Sequence, residues 1–121
     1  MLLSEIVIEP TGESKKVAAG NQTFVEFIPE GFVVHQPYPN PFNPSTTIQY
    51  EIPKDAHVEF VVYDVLGRKI AVLENNRKSA GIHNIIWNGK SDDDRNVGSG
   101  VYLYRIKAGE FLEHGKMVLV R

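Results

Sequence analysis

The chain contains the segment Tyr38-Pro39-Asn40-Pro41-Phe42-Asn43-Pro44-Ser45-Thr46-Thr47, in which three prolines fall within six residues. Each proline ring fixes its own φ angle and disfavours helix at the residue before it, so a helix is excluded here. The three missing N–H donors also disfavour a regular ladder strand. We therefore expect a stiff, extended strap that fixes where a β-domain begins, formed by Pro39, Asn40, Pro41, Phe42, Asn43 and Pro44. Phe42 is expected to plug one end of the core, and the alternative is a recognition or processing element exposed ahead of the domain.

Downstream of the strap, apolar and polar residues alternate in short segments separated by turns rich in glycine, proline and asparagine. A period of two predicts β-strands, and no helical periodicity is present. The predicted strands are Thr46–Ile52, His57–Asp64, Lys69–Glu74, Gly81–Trp87, Val101–Lys107 and Phe111–Val120, with a polar loop at Asn75–Ala80. Many short strands in a chain of this length predict an all-β sandwich, whose core contains Tyr50, Phe60, Val62 and Trp87.

The region upstream of the strap has a different character. Strand-like segments occur at Leu3–Glu9, Lys15–Ala19 and Thr23–Ile28, which are too few to bury a core alone. We therefore divide the chain into residues 1–36, a β arm or the remnant of a preceding domain, and residues 37–121, the sandwich. The arm is expected to dock on the sandwich or to pair with a neighbouring molecule, and its candidate strand-donor residues are Leu3, Ile6 and Ile8.

Composition excludes several classes of function. The chain has 121 residues, 42% apolar and 23% charged, with a net charge of −2, which is ordinary globular usage without a basic footprint for nucleic acid. Cysteine is absent, so disulfides, thiolate chemistry and cysteine-based zinc sites are excluded. The sequence contains no run of about 18 apolar residues, so no membrane span is predicted. The N-terminus also lacks the features of a signal peptide, so for an exported protein that peptide is absent from this chain.

No set of residues suggests catalysis. Four histidines, at positions 35, 57, 83 and 114, share no short metal-ligand spacing, and no serine has a nucleophile-elbow context. We therefore predict a protein that is not an enzyme and needs no cofactor. Asp92, Asp94 and Asn96 have the alternate spacing of a calcium loop, but the turn glycine and the closing glutamate are missing, so a solvated acidic turn is favoured over a calcium site.

Trp87 and His83 lie four residues apart on one predicted strand and therefore share a face. A tryptophan between two sheets is the favoured interpretation. The alternative is a sugar-stacking platform completed by Tyr63, Tyr102 and Tyr104, although alternation places much of that set inside the sandwich.

Five landmarks follow one another in a fixed order from the strap onward. They are Pro39-Asn40-Pro41-Phe42-Asn43-Pro44-Ser45-Thr46-Thr47-Ile48, Val62-Tyr63-Asp64-x-x-Gly67-Arg68, Ala80-Gly81-x-His83-x-x-x-Trp87-Asn88-Gly89, Ser99-Gly100-Val101-Tyr102, and Lys116-Met117-Val118-Leu119-Val120-Arg121. Over about residues 37–121 this series resembles the type A C-terminal sorting domain of the type IX secretion system. It is similar also to the Ig-like domain of the flagellar hook-cap protein, which shares the later landmarks. Asn88 departs from the pattern, since family members more often have Asp there.

The resemblance implies an Ig-like or fibronectin-III-like antiparallel sandwich of about seven strands, on a protein that is secreted or displayed on the bacterial cell surface. It also implies two partners, an outer-membrane translocon and a sortase-like peptidase. We expect the recognition residues to be exposed near the C-terminus and to be read by pairing along a strand edge. They are Gly100, Val101, Tyr102, Lys116, Met117, Val118, Leu119, Val120 and Arg121.

Two further functions remain open. The apolar strands of the arm suggest a surface or filament subunit that self-associates by donating a strand to a neighbour. A carbohydrate-binding module is the weaker alternative, because it needs a row of exposed aromatic side chains.

Overall fold

The computed structural model describes residues 12–19 and 22–121. The described strands are β1 (Gly12–Ala19), β2 (Gln22–Pro29), β3 (Val33–Val34), β4 (Thr46–Ile52), β5 (Ala56–Tyr63), β6 (Lys69–Lys78), β7 (Gly81–Trp87), β8 (Gly100–Ala108) and β9 (Phe111–Leu119). They form a two-stranded sheet β1-β2, a three-stranded sheet β3-β4-β7 and a four-stranded sheet β6-β5-β8-β9. Within these residues no helix is long and apolar enough to cross a membrane.

The three-stranded and four-stranded sheets form a β-sandwich of seven of the described strands, all paired antiparallel. Its core follows from the alternation of each strand, because successive side chains point to opposite faces. The buried side chains include Ile48, Tyr50 and Ile52 of β4, Val58, Phe60 and Val62 of β5, Trp87 of β7, and Tyr102, Tyr104 and Ile106 of β8. The predicted all-β, Ig-like sandwich is therefore confirmed, and the four residues predicted for its core are all buried.

Most predicted strand bounds agree with the structure to within one or two residues, and β4 and β7 agree at both ends. The prediction of a polar loop at Asn75–Ala80 is wrong, because β6 continues to Lys78. Ala56, His57 and Val58 of β5 lie opposite residues 76–78 in the ladder. The hydrogen bonds of this long hairpin compensate for the low strand propensity of the polar residues.

The region before the strap contributes to the sandwich. The predicted strands Lys15–Ala19 and Thr23–Ile28 lie within the β1–β2 hairpin. β3 pairs with β4, so the three-stranded sheet takes its edge strand from residues ahead of position 37. Phe32 stacks on Phe111 of the other sheet, with ring centroids 4.9 Å apart. The segment Leu3–Glu9 lies outside the described residues, so strand donation by Leu3, Ile6 and Ile8 stays a prediction.

Candidate functional site

The proline strap bridges the two sheets of the sandwich. On one side Tyr38 exchanges two backbone hydrogen bonds with Thr47 of β4, at 2.9 and 3.0 Å. On the other side the Phe42 N–H donates to the Val118 carbonyl, and the Val120 N–H donates to the Phe42 carbonyl, each at 2.9 Å. The strap therefore runs beside the outer edge of β9 as a short parallel partner.

Phe42 plugs the core at this end, as predicted. It is buried and its ring lies 5.6 Å from that of Trp87, which in turn meets the edge of Tyr102 at 5.1 Å. The Trp87 indole N–H donates to the Lys90 carbonyl at 2.9 Å, and the Tyr102 hydroxyl donates to the Gly98 carbonyl at 2.6 Å. Burial raises the pKa of the Tyr102 hydroxyl. These aromatic side chains fill the core, and Tyr104 is buried as well, so they do not form a sugar-stacking platform.

Arg121 ties the closing landmark to two loops. Its backbone N–H donates to Ser99 Oγ at 2.9 Å, and its guanidinium donates to the carbonyls of Val97 and Gly89, both at 2.7 Å. Gly89 has a φ of +72°, and a Cβ there would lie 2.7 Å from the guanidinium. A glycine at position 89 therefore serves both the left-handed backbone and the close approach of Arg121. Nothing local in the sequence indicates this contact across 32 residues.

The predicted recognition residues do not share one environment. Val101, Lys116, Val120 and Arg121 are exposed, and Gly100 and Val118 are partly exposed. The expectation that the whole set is exposed is wrong for Tyr102, Met117 and Leu119, which are buried on the inner face of the sheet. Alternation along β8 and β9 explains the division, because every second side chain points into the core.

The edge that β9 offers for pairing is also partly occupied. Val118 donates its N–H to Asn40 Oδ1 at 2.8 Å, in addition to the two strap bonds of Phe42. A partner strand could not pair at Val118 and Val120 without displacing the strap. Edge pairing over Lys116–Arg121 is therefore not available in this structure.

The loop from Ser91 to Asn96 covers the opposite edge of the same sheet. Asp92 Oδ1 accepts from the Val72 N–H, and the Asp92 N–H donates to the Ile70 carbonyl, both at 3.0 Å. Asp94 has a φ of +62° and lies 3.5 Å from the Lys90 ammonium. Throughout the described ranges, no group of three or more His, Cys, Asp or Glu side chains is arranged to hold a metal ion. Asp92 belongs to the calcium candidate of Asp92, Asp94 and Asn96. In this structure its carboxylate instead accepts a backbone hydrogen bond at the edge of β6.

The turn after β5 is organised by Asp64. Its Oδ1 accepts from the backbone N–H groups of Leu66 and Arg68, both at 2.9 Å, and its Oδ2 accepts from Arg68 Nε at 2.7 Å. The Arg68 backbone N–H is the main cause that lowers the pKa of this carboxyl. Gly67 has a positive φ of +85°, a conformation that favours glycine in this turn. The turn leaves Val65 and Leu66 projecting into solvent.

Comparisons with known proteins relate this sandwich to a protein family and to a solved structure. Residues 43–110 match the family model described as the FlgD Ig-like domain, and no curated protein matches the chain. Dimeric latent PorU from Porphyromonas gingivalis is similar at a TM-score of 0.60 and 23% identity, over 82% of this chain and 10% of PorU. PorZ from the same organism, an essential bacterial surface component of the type IX secretion system, has a TM-score of 0.48 and 18% identity, over 76% of this chain and 12% of PorZ.

The likeness to PorU shows the fold, and this chain spans only about a tenth of that structure's length. The matched span of the family model begins within the strap and ends before β9, so it covers β4 to β8. It also makes up more than half of the 121 residues. The chain therefore belongs to the FlgD Ig-like domain family.

Proposed function

We propose that this domain is a non-catalytic sorting module that directs export through the type IX secretion system and attachment at the cell surface. The observation that carries the proposal is the convergence of the sorting-domain landmarks at one end of the sandwich. The strap contacts Trp87 and β9, while Arg121 contacts Gly89 and Ser99. Landmarks that are far apart in sequence thereby form one folded unit that a receptor can recognise.

The fold supports the same proposal. PorU contains a region of this fold that corresponds to a tenth of its chain, so the sandwich also occurs as a small part of a much larger protein. A module of this kind would carry an address for whatever protein it is joined to. Its partners would be the outer-membrane translocon and a sortase-like peptidase, and its location would be outside the cell.

The histidine contacts favour a binding module over an enzyme. His57 Nε2 lies 2.7 Å from Asn75 Oδ1, His83 Nε2 lies 2.7 Å from the Ser79 carbonyl, and His35 Nε2 lies 2.8 Å from Glu51. Each contact joins neighbouring strands or turns. None of these histidines is within such a distance of a serine hydroxyl, as a hydrolytic pair would require.

The test is export of a reporter joined ahead of the full chain and supplied with its own signal peptide. The fusion is produced in a bacterium with a working type IX system and in a matched strain without the translocon. We expect the reporter on the surface or in the medium of the first strain only. Equal distribution in the two strains would contradict the proposal.

A control that separates folding from recognition is needed. Deleting residues 116–121 removes the buried Met117 and Leu119 along with the exposed residues, so loss of export would not distinguish the two causes. Arg121→Lys is a milder change, because it keeps the charge but removes the fork that reaches two carbonyls. Thermal unfolding of each variant shows whether the sandwich remains folded.

A further inference from the structure

The outer face of the four-stranded sheet carries an apolar patch at the strap end. Five of the nine large apolar side chains exposed in the described part of the chain lie on the strap-end half of this face or on the turn beside it. Leu103, Val101 and Val120 are 38%, 41% and 50% exposed, and Val65 and Leu66 project from the turn after β5. Val101 lies opposite Val118 in the β8–β9 ladder, which extends the patch across both strands. We call Val65, Leu66, Val101, Leu103 and Val120 the outer apolar patch.

A cation borders the patch on each side. Lys69, Tyr63, Leu103 and Lys116 face one another in a single row across β6, β5, β8 and β9. Three strand spacings separate the two lysines, which is roughly 14 Å. No salt bridge to Lys69 or Lys116 occurs among the described residues. The row therefore presents an apolar centre between two unneutralised positive charges.

We propose that the outer apolar patch is the docking surface for a partner protein whose own apolar patch is flanked by acidic side chains. The proposal rests on the sorting function and names the face through which the module is read. Both edges of this sheet are covered near the patch, by Asn40 and Phe42 along β9 and by Asp92 along β6. Recognition therefore takes place through side chains of the sheet face and not through addition of a strand.

A protein partner fits the patch better than a lipid surface does. The arginines near the patch are already engaged: Arg68 pairs with Asp64 at 2.7 Å, and Arg105, which lies over the Tyr63 ring, pairs with Glu59. The Arg121 guanidinium donates to two carbonyls, which leaves Lys69 and Lys116 without a partner of opposite charge among the described residues. Attraction to anionic lipid usually relies on clusters of roughly four to eight lysines and arginines. Two positive charges on either side of an apolar centre are instead typical of a protein interface. In such an interface the charges orient the partner, and the apolar centre supplies most of the affinity.

The test uses the full chain joined to the export reporter and the double variant Leu103→Glu/Val120→Glu. This change removes two apolar side chains and introduces charges that an acidic partner would repel. We expect export to fall about tenfold or more, as for loss of central contacts in an interface. The matched control is Ile82→Glu/Ile86→Glu, because those side chains are 47% and 66% exposed on the other sheet. The control should export within about twofold of the unchanged chain.

A second variant distinguishes loss of the docking surface from a folding defect. Leu103→Thr/Val120→Thr keeps side chains that suit exposed strands, and its thermal unfolding should match the unchanged chain. Normal export of both patch variants, with the unchanged chain exported, would overturn the docking surface but leave the sorting function standing. Failure to export the unchanged chain in the competent strain would overturn the sorting function, and the docking surface with it.

Vesicles of phosphatidylcholine and phosphatidylglycerol test whether the outer apolar patch binds lipid instead of a protein. We expect the full chain to stay in the supernatant when such vesicles are sedimented at physiological salt. Sedimentation with the vesicles that is lost in Leu103→Glu/Val120→Glu would assign the patch to lipid and would overturn the protein partner.

Discussion

Asn40 accepts a hydrogen bond from the backbone N–H of Val118 through its side-chain Oδ1, at 2.8 Å and across 78 residues of sequence. Through this contact a side chain of the strap satisfies a backbone N–H that a neighbouring strand would otherwise bind. Together with the two Phe42 bonds, it satisfies the outward backbone groups at the end of β9. An unprotected edge would be a template for unwanted pairing, so the strap both closes the core and covers the edge.

Asn40→Ala should loosen this cover without unfolding the sandwich. Val118 would lose its acceptor, while the Phe42 backbone bonds and the buried ring remain. We expect faster hydrogen exchange at the Val118 amide and a loss of about 1 kcal/mol or less in the free energy of unfolding. Asn40→Asp is the control, because it keeps an oxygen at the Oδ1 position. Unchanged exchange at Val118 in the alanine variant would show that the contact does not protect the edge.

Gly115→Ala should destabilise the core through Tyr104. A Cβ at position 115 would lie 2.2 Å from the Tyr104 ring, which is stacked on Phe60 with centroids 5.1 Å apart. The Tyr104 ring is buried, so moving it would disturb the core, and we expect a cost of about 1–3 kcal/mol in the free energy of unfolding, measured with denaturant. Gly98→Ala is the control, since a Cβ there meets no atom within 4 Å. Equal stabilities of the two variants would contradict the packing described for Tyr104.

Tyr50→Phe should leave the stability unchanged or raise it by up to about 1 kcal/mol. The Tyr50 hydroxyl is buried and has no hydrogen-bond partner among the described residues, so its removal relieves a desolvation cost. The ring contact with His83, at 5.3 Å, does not depend on the hydroxyl. Chemical denaturation at neutral pH measures the difference, and a clear loss of stability would mean that the hydroxyl has a partner in solution.

Alkaline pH should destabilise the sandwich through three tyrosines. Burial raises the pKa of Tyr50, Tyr102 and Tyr104 above the ordinary value of 10.0. Above about pH 10 the unfolded chain loses these protons first, so it binds fewer protons than the folded chain and the free energy of unfolding falls as pH rises. The stabilising contribution is fully present below about pH 10 and is lost as the pH passes through the folded-state values. Denaturation of the unchanged chain and of Tyr50→Phe at about pH 9 and about pH 11 checks this, and the variant should show the smaller fall.

Local alternation was enough to predict most of the fold. The bounds of β4 and β7, the burial of Phe42 and Trp87, and the two-layer architecture all follow from residues close together in sequence. The extension of β6 to Lys78 was not predictable in this way, because its polar residues are strand-forming only when β5 supplies the ladder. Pairing between distant segments overrides local propensity there.

The candidate site was predictable in part. Its landmarks are visible in the sequence, but their contacts are not. The hydrogen bonds of Asn40 to Val118, Arg121 to Gly89 and Asp92 to Val72 join residues 78, 32 and 20 positions apart. Hence edge pairing looked available at β9 from the sequence, whereas the structure leaves the sheet face as the accessible surface.

The most direct test of the sorting function is the fraction of reporter found outside the cell when the full chain is joined behind it. We predict that this fraction is high in a strain with a working type IX system and falls to the level of the reporter alone when the translocon is removed. A reporter that stays inside both strains, or leaves both equally, would contradict the sorting function.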